Sequence, residues 1–182
     1  MSLITQKQGN ALLVESGILV HGCNCLGNMG GGIALHIRNK WSDVNDAYRR
    51  HQSKVGLRLG DVNFVAGMAF KDTPVALHIH EFSEQLPPNL IVANAMTQQI
   101  YGGDPNVVYV SYDAISATFA RVALVARAAG LDVHFPLIGC GLAHGKWSEV
   151  GPRIDATLAP DLAGHLWTFD PVPAPDTQGT LI

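Results

Sequence analysis

Three consecutive glycines, residues 30–32, limit the local structure of this chain more than any other feature. They follow an apolar run at residues 18–25, which predicts a buried strand, and precede residues 33–37, which predict the opening of a helix. Without Cβ atoms, the bend can adopt positive φ angles and let a ligand approach the main chain. A helix that starts here would also direct unpaired N–H groups at the bend, as is typical of anion sites. The first glycine loop, residues 27–34, therefore predicts phosphate binding.

The spacing of these glycines does not match two common nucleotide-binding motifs. No lysine follows them, as Gly-x-x-x-x-Gly-Lys-Ser/Thr would require. The residue three positions after Gly32 is Leu35, so Gly-x-Gly-x-x-Gly is not formed either. A plain tight turn between strand and helix remains the alternative to an anion site.

The second glycine loop, residues 138–145, has the same context. It reads Ile-Gly-Cys-Gly-Leu-Ala-His-Gly, follows a predicted strand at 132–137 and precedes a predicted helix at 148–158. Strands that alternate with helices predict a three-layer α/β/α sandwich with a mixed, largely parallel central sheet. Ligands bind such sheets at the carboxyl ends of the strands. We therefore expect both glycine loops to hold the two phosphates of one diphosphate.

The remaining pattern predicts the other elements of this sandwich. Further strands are expected at residues 3–6, 11–14, 62–66, 90–95 and 165–169, with an edge strand or hairpin arm at 75–80. Further helices are expected at 43–54, with Ser42 as N-cap, and at 113–129, closed by Gly130. The domain should cover residues 1–170, and the Pro-rich residues 171–182 should form an extended tail.

Composition and charge disfavour several classes of function. No apolar run is long enough to span a bilayer, and the start of the chain lacks the features of a signal peptide, so we expect a cytoplasmic monomer without membrane partners. With only 12 Lys plus Arg, a net charge of −3 and no basic run, nucleic-acid binding is disfavoured. Attraction for a phosphate must then come from backbone N–H groups and helix ends.

The three cysteines predict neither a disulfide framework nor a metal site. Their number is odd, and Cys23 and Cys25 lie in a strand-like run where buried thiols are common. Together with His21 and Cys140 they could be imagined as ligands, but the spacing matches no standard zinc knuckle. We expect no metal.

Residues 21–34, 91–98 and 138–142 together resemble the three characteristic segments of the macrodomain family, which binds ADP-ribose. The resemblance extends from about residue 3 to residue 169, with the motifs in the family's order. It is strongest to the branch of ADP-ribose-1″-phosphate phosphatases and ADP-ribosyl hydrolases. It implies ADP-ribose or ADP-ribose-1″-phosphate as the ligand, ADP-ribosylated macromolecules as further partners, and no cofactor.

The resemblance also implies which residues bind. Asn24 would hydrogen-bond the distal ribose. One side of the diphosphate would be wrapped by Gly30, Gly31, Gly32 and Ile33, and the other by Ile138, Gly139, Cys140, Gly141 and Leu142. The adenine pocket would include Asn10, Leu12 and Phe169. Many members have an acid where this chain has Asn10, whose amide oxygen can accept a hydrogen bond without charge.

Turnover is less clearly encoded than binding. One mechanism in the family uses a lysine after the central strand and an aspartate in the second loop, but residues 94–104 contain no lysine and the loop has Ala143 and His144 instead. Removal of a 1″-phosphate needs only a held water, a group for its proton and donors for the developing charge. The candidates for these roles are His21, Asn24, His144 and Asp104.

His21 stands where phosphatase-like members also carry histidine, and a histidine suits proton transfer near neutral pH. It could instead bond a main-chain carbonyl and set the shape of the loop. The sequence thus favours an ADP-ribose binder that dephosphorylates ADP-ribose-1″-phosphate. The alternatives are an ADP-ribosyl hydrolase acting on modified protein or nucleic acid, and a non-catalytic reader of ADP-ribosylation.

Overall fold

The computed structural model describes residues 3–169, so the tail expected at residues 171–182 lies outside the described part of the chain. The strands are β1 (Ile4–Gln8), β2 (Ser16–Asn24), β3 (Val62–Gly67), β4 (Glu81–Ser83), β5 (Asn89–Gln98), β6 (Val133–Phe135) and β7 (Gly164–Thr168). The helices are α1 (Gly32–Lys40), α2 (Ser42–Val55), α3 (Tyr112–Ala129) and α4 (Trp147–Leu158). Short 3₁₀ turns occur at Ala11–Leu13, Met68–Phe70 and Pro74–His78.

The strands form one sheet in the order β1-β7-β6-β2-β5-β3-β4. The first five of these are mutually parallel, β3 is antiparallel to β5, and β4 is parallel to β3. The carboxyl ends of five strands therefore lie along one edge. Because β2 and β6 are neighbours, the two glycine loops that follow them start side by side.

Helices cover both faces of this sheet, which confirms the predicted three-layer α/β/α sandwich. Alternate residues of β2 face opposite layers: Ile18 and Val20 pack into the core on the side of α3 and α4, whereas Leu19 and Cys23 pack on the side of α1 and α2. A strand buried on both faces reads as a continuous apolar run, as β2 and β5 do. Among the described residues, no helix is long and apolar enough to cross a lipid bilayer.

Two strand predictions were wrong. Residues 11–14 contain the 3₁₀ turn Ala11–Leu13, because the Asn10 side-chain oxygen accepts from Leu12 N–H at 2.9 Å and starts a turn. Residues 75–80 overlap the 3₁₀ turn Pro74–His78, which begins at a proline without an N–H for strand pairing. The edge strand is β4, directly after it.

Of two predicted helix ends, the N-cap of α2 was wrong and the glycine end of α3 is confirmed. Trp41, rather than Ser42, is the N-cap of α2, and the Ser42 hydroxyl instead contacts the Gln85 side-chain oxygen at 3.4 Å. Gly130 ends α3 with a φ of 64°, in the left-handed conformation that a C-terminal glycine adopts readily.

Candidate functional site

The two glycine loops are in contact at the carboxyl edge of the sheet. A Cβ atom added at Gly31 would lie 2.9 Å from Leu142 Cδ1, and one added at Gly32 would lie 3.7 Å from the same atom. The two glycine loops therefore meet at Gly31 and Leu142, where the first loop has no side chain. That both loops hold one diphosphate stays a prediction.

The glycines at the centre of the first glycine loop leave their backbone N–H groups without acceptors in the described part of the chain. Within residues 3–169, neither Gly30 nor Gly31 donates its N–H to a protein acceptor. The N–H groups of Gly32 and Ile33 belong to the first turn of α1, where a helix has no internal acceptor for them. Gly32 has a φ of 55°, which glycine adopts without strain. The loop and helix therefore form a concave donor surface suited to a phosphate.

The second glycine loop uses much of its backbone to close its own turns. These hydrogen bonds shape the loop without a ligand. They are Ile138 N–H to Pro136 O at 2.6 Å, Cys140 N–H to Leu137 O at 3.1 Å, His144 N–H to Gly141 O at 2.9 Å and Gly145 N–H to Gly139 O at 2.8 Å.

This turn structure corrects the predicted donor set. The Cys140 N–H is engaged with Leu137 O and does not point to a ligand as expected. The N–H groups of Gly139, Gly141 and Leu142 have no acceptor in the described part of the chain. Gly139 has a φ of 74°, and a Cβ atom there would lie 2.7 Å from Val110 Cγ2, so the turn requires glycine.

Asn24 shapes the entry to the first glycine loop. Its side-chain oxygen accepts from the N–H groups of Leu26 at 3.0 Å and Asn28 at 3.3 Å, and its Nδ2 donates to Asn28 O at 2.6 Å. The Tyr48 hydroxyl also donates to this oxygen at 3.3 Å. Burial raises the pKa of Tyr48, so the phenol keeps its proton. These bonds order the entry to the loop, and Asn24 is only 6% exposed, so the expected ribose contact stays a prediction.

His21 lies inside the sheet layer, away from solvent. It is fully buried, and its Nε2 lies 2.6 Å from Asn94 Oδ1 on β5, while Asn94 Nδ2 donates to Asn63 Oδ1 on β3 at 3.0 Å. Burial lowers the pKa of His21 to about 4, so the neutral ring donates to Asn94. No part of the ring reaches solvent, so the structure does not support the expected proton transfer by His21, which stays a prediction.

A third segment, the tyrosine loop (residues 99–110), joins the two glycine loops. On one side the Tyr101 hydroxyl accepts from Asn28 Nδ2 at 2.7 Å. On the other side Tyr109 N–H donates to Ala143 O at 2.9 Å, and Val107 O lies 2.8 Å from His144 Nδ1. The sequence pattern did not predict this role. The signal available in the sequence was the presence of apolar residues on both sides of its glycines, at Ile100, Tyr101, Val107 and Val108. The structure leaves all four exposed.

Comparisons with known proteins agree with this architecture. No protein-family model and no curated protein matches the chain. A solved protein of unknown function from Bacteroides thetaiotaomicron is 29% identical, with 90% of this chain and 96% of that chain covered and a TM-score of 0.72. A macrodomain protein from Streptomyces coelicolor is 28% identical, with coverages of 91% and 98% and a TM-score of 0.67.

The fold of this chain is that of a macrodomain. The same fold occurs in Thermosipho africanus DarTG, solved in complex with ADP-ribose, which is 17% identical over 93% of this chain and 43% of that chain, with a TM-score of 0.70.

Among the reactive candidates, His144 is the one whose ring links the second glycine loop to the tyrosine loop, through its Nδ1 and Val107 O. Its backbone has a φ of 57°, which is uncommon for a residue with a side chain and fixes where the ring points. Because Val107 O can only accept, Nδ1 carries the proton that it shares with this carbonyl. In the neutral ring, Nε2 is then the nitrogen with a lone pair, and it has no hydrogen-bond partner among residues 3–169.

The candidate Asp104 and the thiol of Cys140 are less suited to chemistry. The Asp104 carboxylate accepts from Asn106 N–H at 2.9 Å and from Asn106 Nδ2 at 3.2 Å, which closes a turn within the tyrosine loop. Burial raises the pKa of the half-buried Cys140 thiol to about 11, so it remains protonated near neutral pH. Asp104 is therefore placed to order a loop, and Cys140 is a poor nucleophile.

The residues expected around adenine meet at the ends of β1 and β7. Gly9 N–H donates to Thr168 O at 2.9 Å, and Gln8 Nε2 donates to Phe169 O at 3.1 Å. Phe169 is 74% exposed and follows β7, so its ring offers an apolar surface at this end of the sheet edge. The Asn10 side-chain oxygen already accepts from Leu12 N–H, and its second lone pair remains for a ligand.

These groups follow neighbouring strands along the carboxyl edge of the sheet. Phe169 follows β7, the glycine loops follow β6 and β2, and the tyrosine loop follows β5. At about 4.8 Å between strands, three intervals separate β7 from β5 by roughly 14 Å. The edge is long enough for an extended nucleotide with its diphosphate at the centre.

Proposed function

We propose that this macrodomain binds ADP-ribose in the cleft between the two glycine loops. The observation that carries the proposal is the contact of Leu142 with Gly31, which brings two sets of unpaired N–H groups to one place. A diphosphate has acceptor oxygens on both sides, so each loop would receive one face of it. The ADP-ribose complex of the Thermosipho africanus protein, which has the same fold, supports this ligand.

The neighbouring groups give the nucleotide a direction. Adenine would lie at the β7 end, where the exposed Phe169 ring can stack on it and Asn10 can accept from its amino group. The distal ribose would then point to the tyrosine loop, between Tyr101 and His144. This direction puts the C1″ substituent next to the residue with the free ring nitrogen.

We infer hydrolysis of ADP-ribose-1″-phosphate as the finer activity. A water attacks phosphorus, the bond from phosphorus to O1″ breaks, and the products are ADP-ribose and inorganic phosphate. His144 Nε2 takes the proton of the attacking water, and O1″ leaves with a proton from solvent. His144 is preferred because His21 is buried and the Cys140 thiol stays protonated.

A phosphate-release assay on ADP-ribose-1″-phosphate tests this activity. Wild type should release phosphate, and His144→Ala should lower kcat by about 10²-fold or more, the usual contribution of a positioned general base. ADP-ribose affinity should change little in the variant. His78→Ala is the matched control, because His78 is exposed on the 3₁₀ turn Pro74–His78. Equal kcat in wild type and His144→Ala would remove His144 from the mechanism.

The same assay separates the alternatives. Tight ADP-ribose binding without phosphate release by wild type would leave a reader of ADP-ribosylation. Release of free ADP-ribose from ADP-ribosylated protein or nucleic acid, without activity on the phosphorylated nucleotide, would identify an ADP-ribosyl hydrolase. Absence of ADP-ribose binding in calorimetry would contradict the proposal as a whole.

A further inference from the structure

A polar groove of about 420 Å³ lies between the first glycine loop and the helices α1 and α2. Residues 26–29 form one wall, and the helices contribute Arg38, Asn45, Arg49 and Gln52. Nothing in the ADP-ribose pose uses this groove, since the diphosphate is assigned to the cleft at Gly31 and Leu142.

The two arginines of the groove differ from most other arginines of the chain. Each of four other guanidinium groups pairs with a carboxylate, in the pairs Arg50–Glu81, Arg121–Asp61, Arg127–Asp161 and Arg153–Glu149. Arg38 and Arg49 have neither an ion pair nor a side-chain hydrogen bond with any of residues 3–169. Unpaired guanidinium groups that converge on one hollow are suited to a phosphate, which they can bind through two parallel N–H bonds.

The charges next to the groove leave it positive. Asp46 borders an adjoining hollow together with Arg49, Arg50 and Lys54, and Arg50 is already neutralised by Glu81. Among the residues that line the two hollows, Asp46 is the one carboxylate, against Arg38, Arg49 and Lys54 as cations without an ion pair among residues 3–169. The Gln52 amide, which has no side-chain partner among the described residues, adds a neutral donor.

The position of the groove separates it from the nucleotide diphosphate. Arg38 follows Gly32 by six residues of α1, which corresponds to roughly 9 Å along the helix axis. Asn28 lines the groove and also donates to Tyr101, so the groove adjoins the Tyr101 end of the tyrosine loop, whereas His144 contacts Val107 near the other end. A phosphate held by Arg38 and Arg49 would be neither the diphosphate nor the group attacked beside His144.

We propose that this groove is a second anion site, in which Arg38 and Arg49 bind a phosphate dianion independently of the nucleotide cleft. Two sources carry this chemistry: inorganic phosphate, such as the proposed reaction would set free, and a phosphate monoester on a second molecule. The small size of the groove and its two unpaired arginines fit one phosphate rather than a polyanion, which needs many contacts.

The test is a titration of the full chain with inorganic phosphate, followed through the Nε–H signals of labelled arginine in NMR spectra. Signals of Arg38 and Arg49 should shift together, and Arg38→Gln or Arg49→Gln should weaken binding by about tenfold or more, as loss of a charge-assisted bond predicts. Arg58→Gln is the matched control, since Arg58 also lacks an ion pair among residues 3–169 but does not line the groove. Chloride at equal ionic strength should produce no such shifts.

Two further titrations test where the phosphate binds and which kind of phosphate the groove takes. Saturating ADP-ribose should leave the phosphate affinity within about twofold, whereas competition between them would place phosphate in the cleft and overturn the proposal. Phenyl phosphate that binds as well as inorganic phosphate would indicate a monoester on a second molecule, and binding of inorganic phosphate alone would indicate free phosphate. Unshifted Arg38 and Arg49 signals would also overturn the proposal, whatever calorimetry shows for ADP-ribose.

Discussion

The two glycine loops have similar sequences but use their main chains differently. The first runs directly into α1 and leaves the N–H groups of Gly30 and Gly31 without acceptors in the described structure. The second reaches α4 only at Trp147, and several of its N–H groups close internal turns. The number of glycines therefore does not give the number of anion donors. What matters is where each backbone N–H group finds its acceptor.

The strands that precede the two glycine loops, β2 and β6, differ in how far each encloses its histidine. β2 carries His21, which is enclosed and bonded to Asn94, whereas β6 carries His134, which is partly exposed and accepts from Trp167 Nε1 at 3.1 Å. Burial lowers the pKa of both histidines to about 4. The buried pair of His21 and Asn94 therefore lies on the strands next to the first glycine loop, whose Gly30 and Gly31 N–H groups have no acceptor within residues 3–169.

The largest expected effect comes from a carboxylate in the first glycine loop. Gly31→Glu should weaken ADP-ribose binding by about a hundredfold or more, because it displaces the diphosphate from two charge-assisted bonds worth roughly 1.5 to 3 kcal/mol each. Gly141→Glu puts the same charge in the second loop, where a Cβ atom meets nothing within 4 Å, and should cost only about tenfold. Calorimetry measures both, and equal losses would show that the loops are equivalent donors.

The next largest effect concerns pH and the strand under the first loop. Because burial lowers the His21 pKa to about 4 in the folded protein, against an ordinary value of 6.5, the unfolded chain binds more protons between these values. The free energy of unfolding should thus fall as pH drops from about 6.5 to about 4, by roughly 3 kcal/mol from His21. His21→Gln keeps a donor for Asn94 and should flatten this dependence in urea titrations. His134→Gln should flatten it as well, because the pKa of His134 is also lowered to about 4. A pH dependence that neither variant changes would contradict both shifts.

A smaller effect should appear in the turn of the second loop. Gly139→Ala places a methyl group 2.7 Å from Val110 Cγ2 at a φ of 74°. It should lower the free energy of unfolding by about 1 to 3 kcal/mol. Gly141→Ala, in open space, should change it by less than about 0.5 kcal/mol. Chemical denaturation of both variants gives the difference, and similar stabilities would show that the turn tolerates a side chain.

The smallest expected effect is that of the side chain between the loops. Leu142→Ala removes the atoms that touch Gly31 but leaves the N–H groups of both loops in place. Since Leu142 is 67% exposed, ADP-ribose affinity should change by only about two- to threefold, the consequence of losing part of one apolar contact. A loss as large as that of Gly31→Glu would mean that side-chain packing, rather than the backbone, binds the ligand.

The sequence predicted the parts of the site that depend on local pattern and topology. The apolar runs of β2 and β5 predicted the central strands, and the glycines after β2 and β6 predicted the two loops. Their proximity could be predicted because parallel strands align their carboxyl ends. The sequence did not predict that Leu137 O would engage Cys140 N–H, since this depends on the turn adopted. Nor did it predict the enclosure of His21, because its partners Asn94 and Asn63 come from distant strands.

The tyrosine loop was missed for a related reason. Its contacts to Asn28, Ala143 and His144 are made by one side chain and by main-chain atoms of a segment without a motif. At residues 75–80 the sequence instead predicted an element that is not there. The alternation of apolar and polar residues is typical of a strand, but Thr73 and Pro74 begin a 3₁₀ turn.

An amide NMR titration with ADP-ribose tests the central claim most directly. The claim predicts that the N–H signals of Gly30, Gly31, Gly139 and Gly141 shift in one transition that saturates at one equivalent of ligand. The Cys140 N–H, bonded to Leu137 O, should move less than its neighbours. Shifts confined to one loop, or two transitions at different ligand concentrations, would contradict a single diphosphate held by both loops.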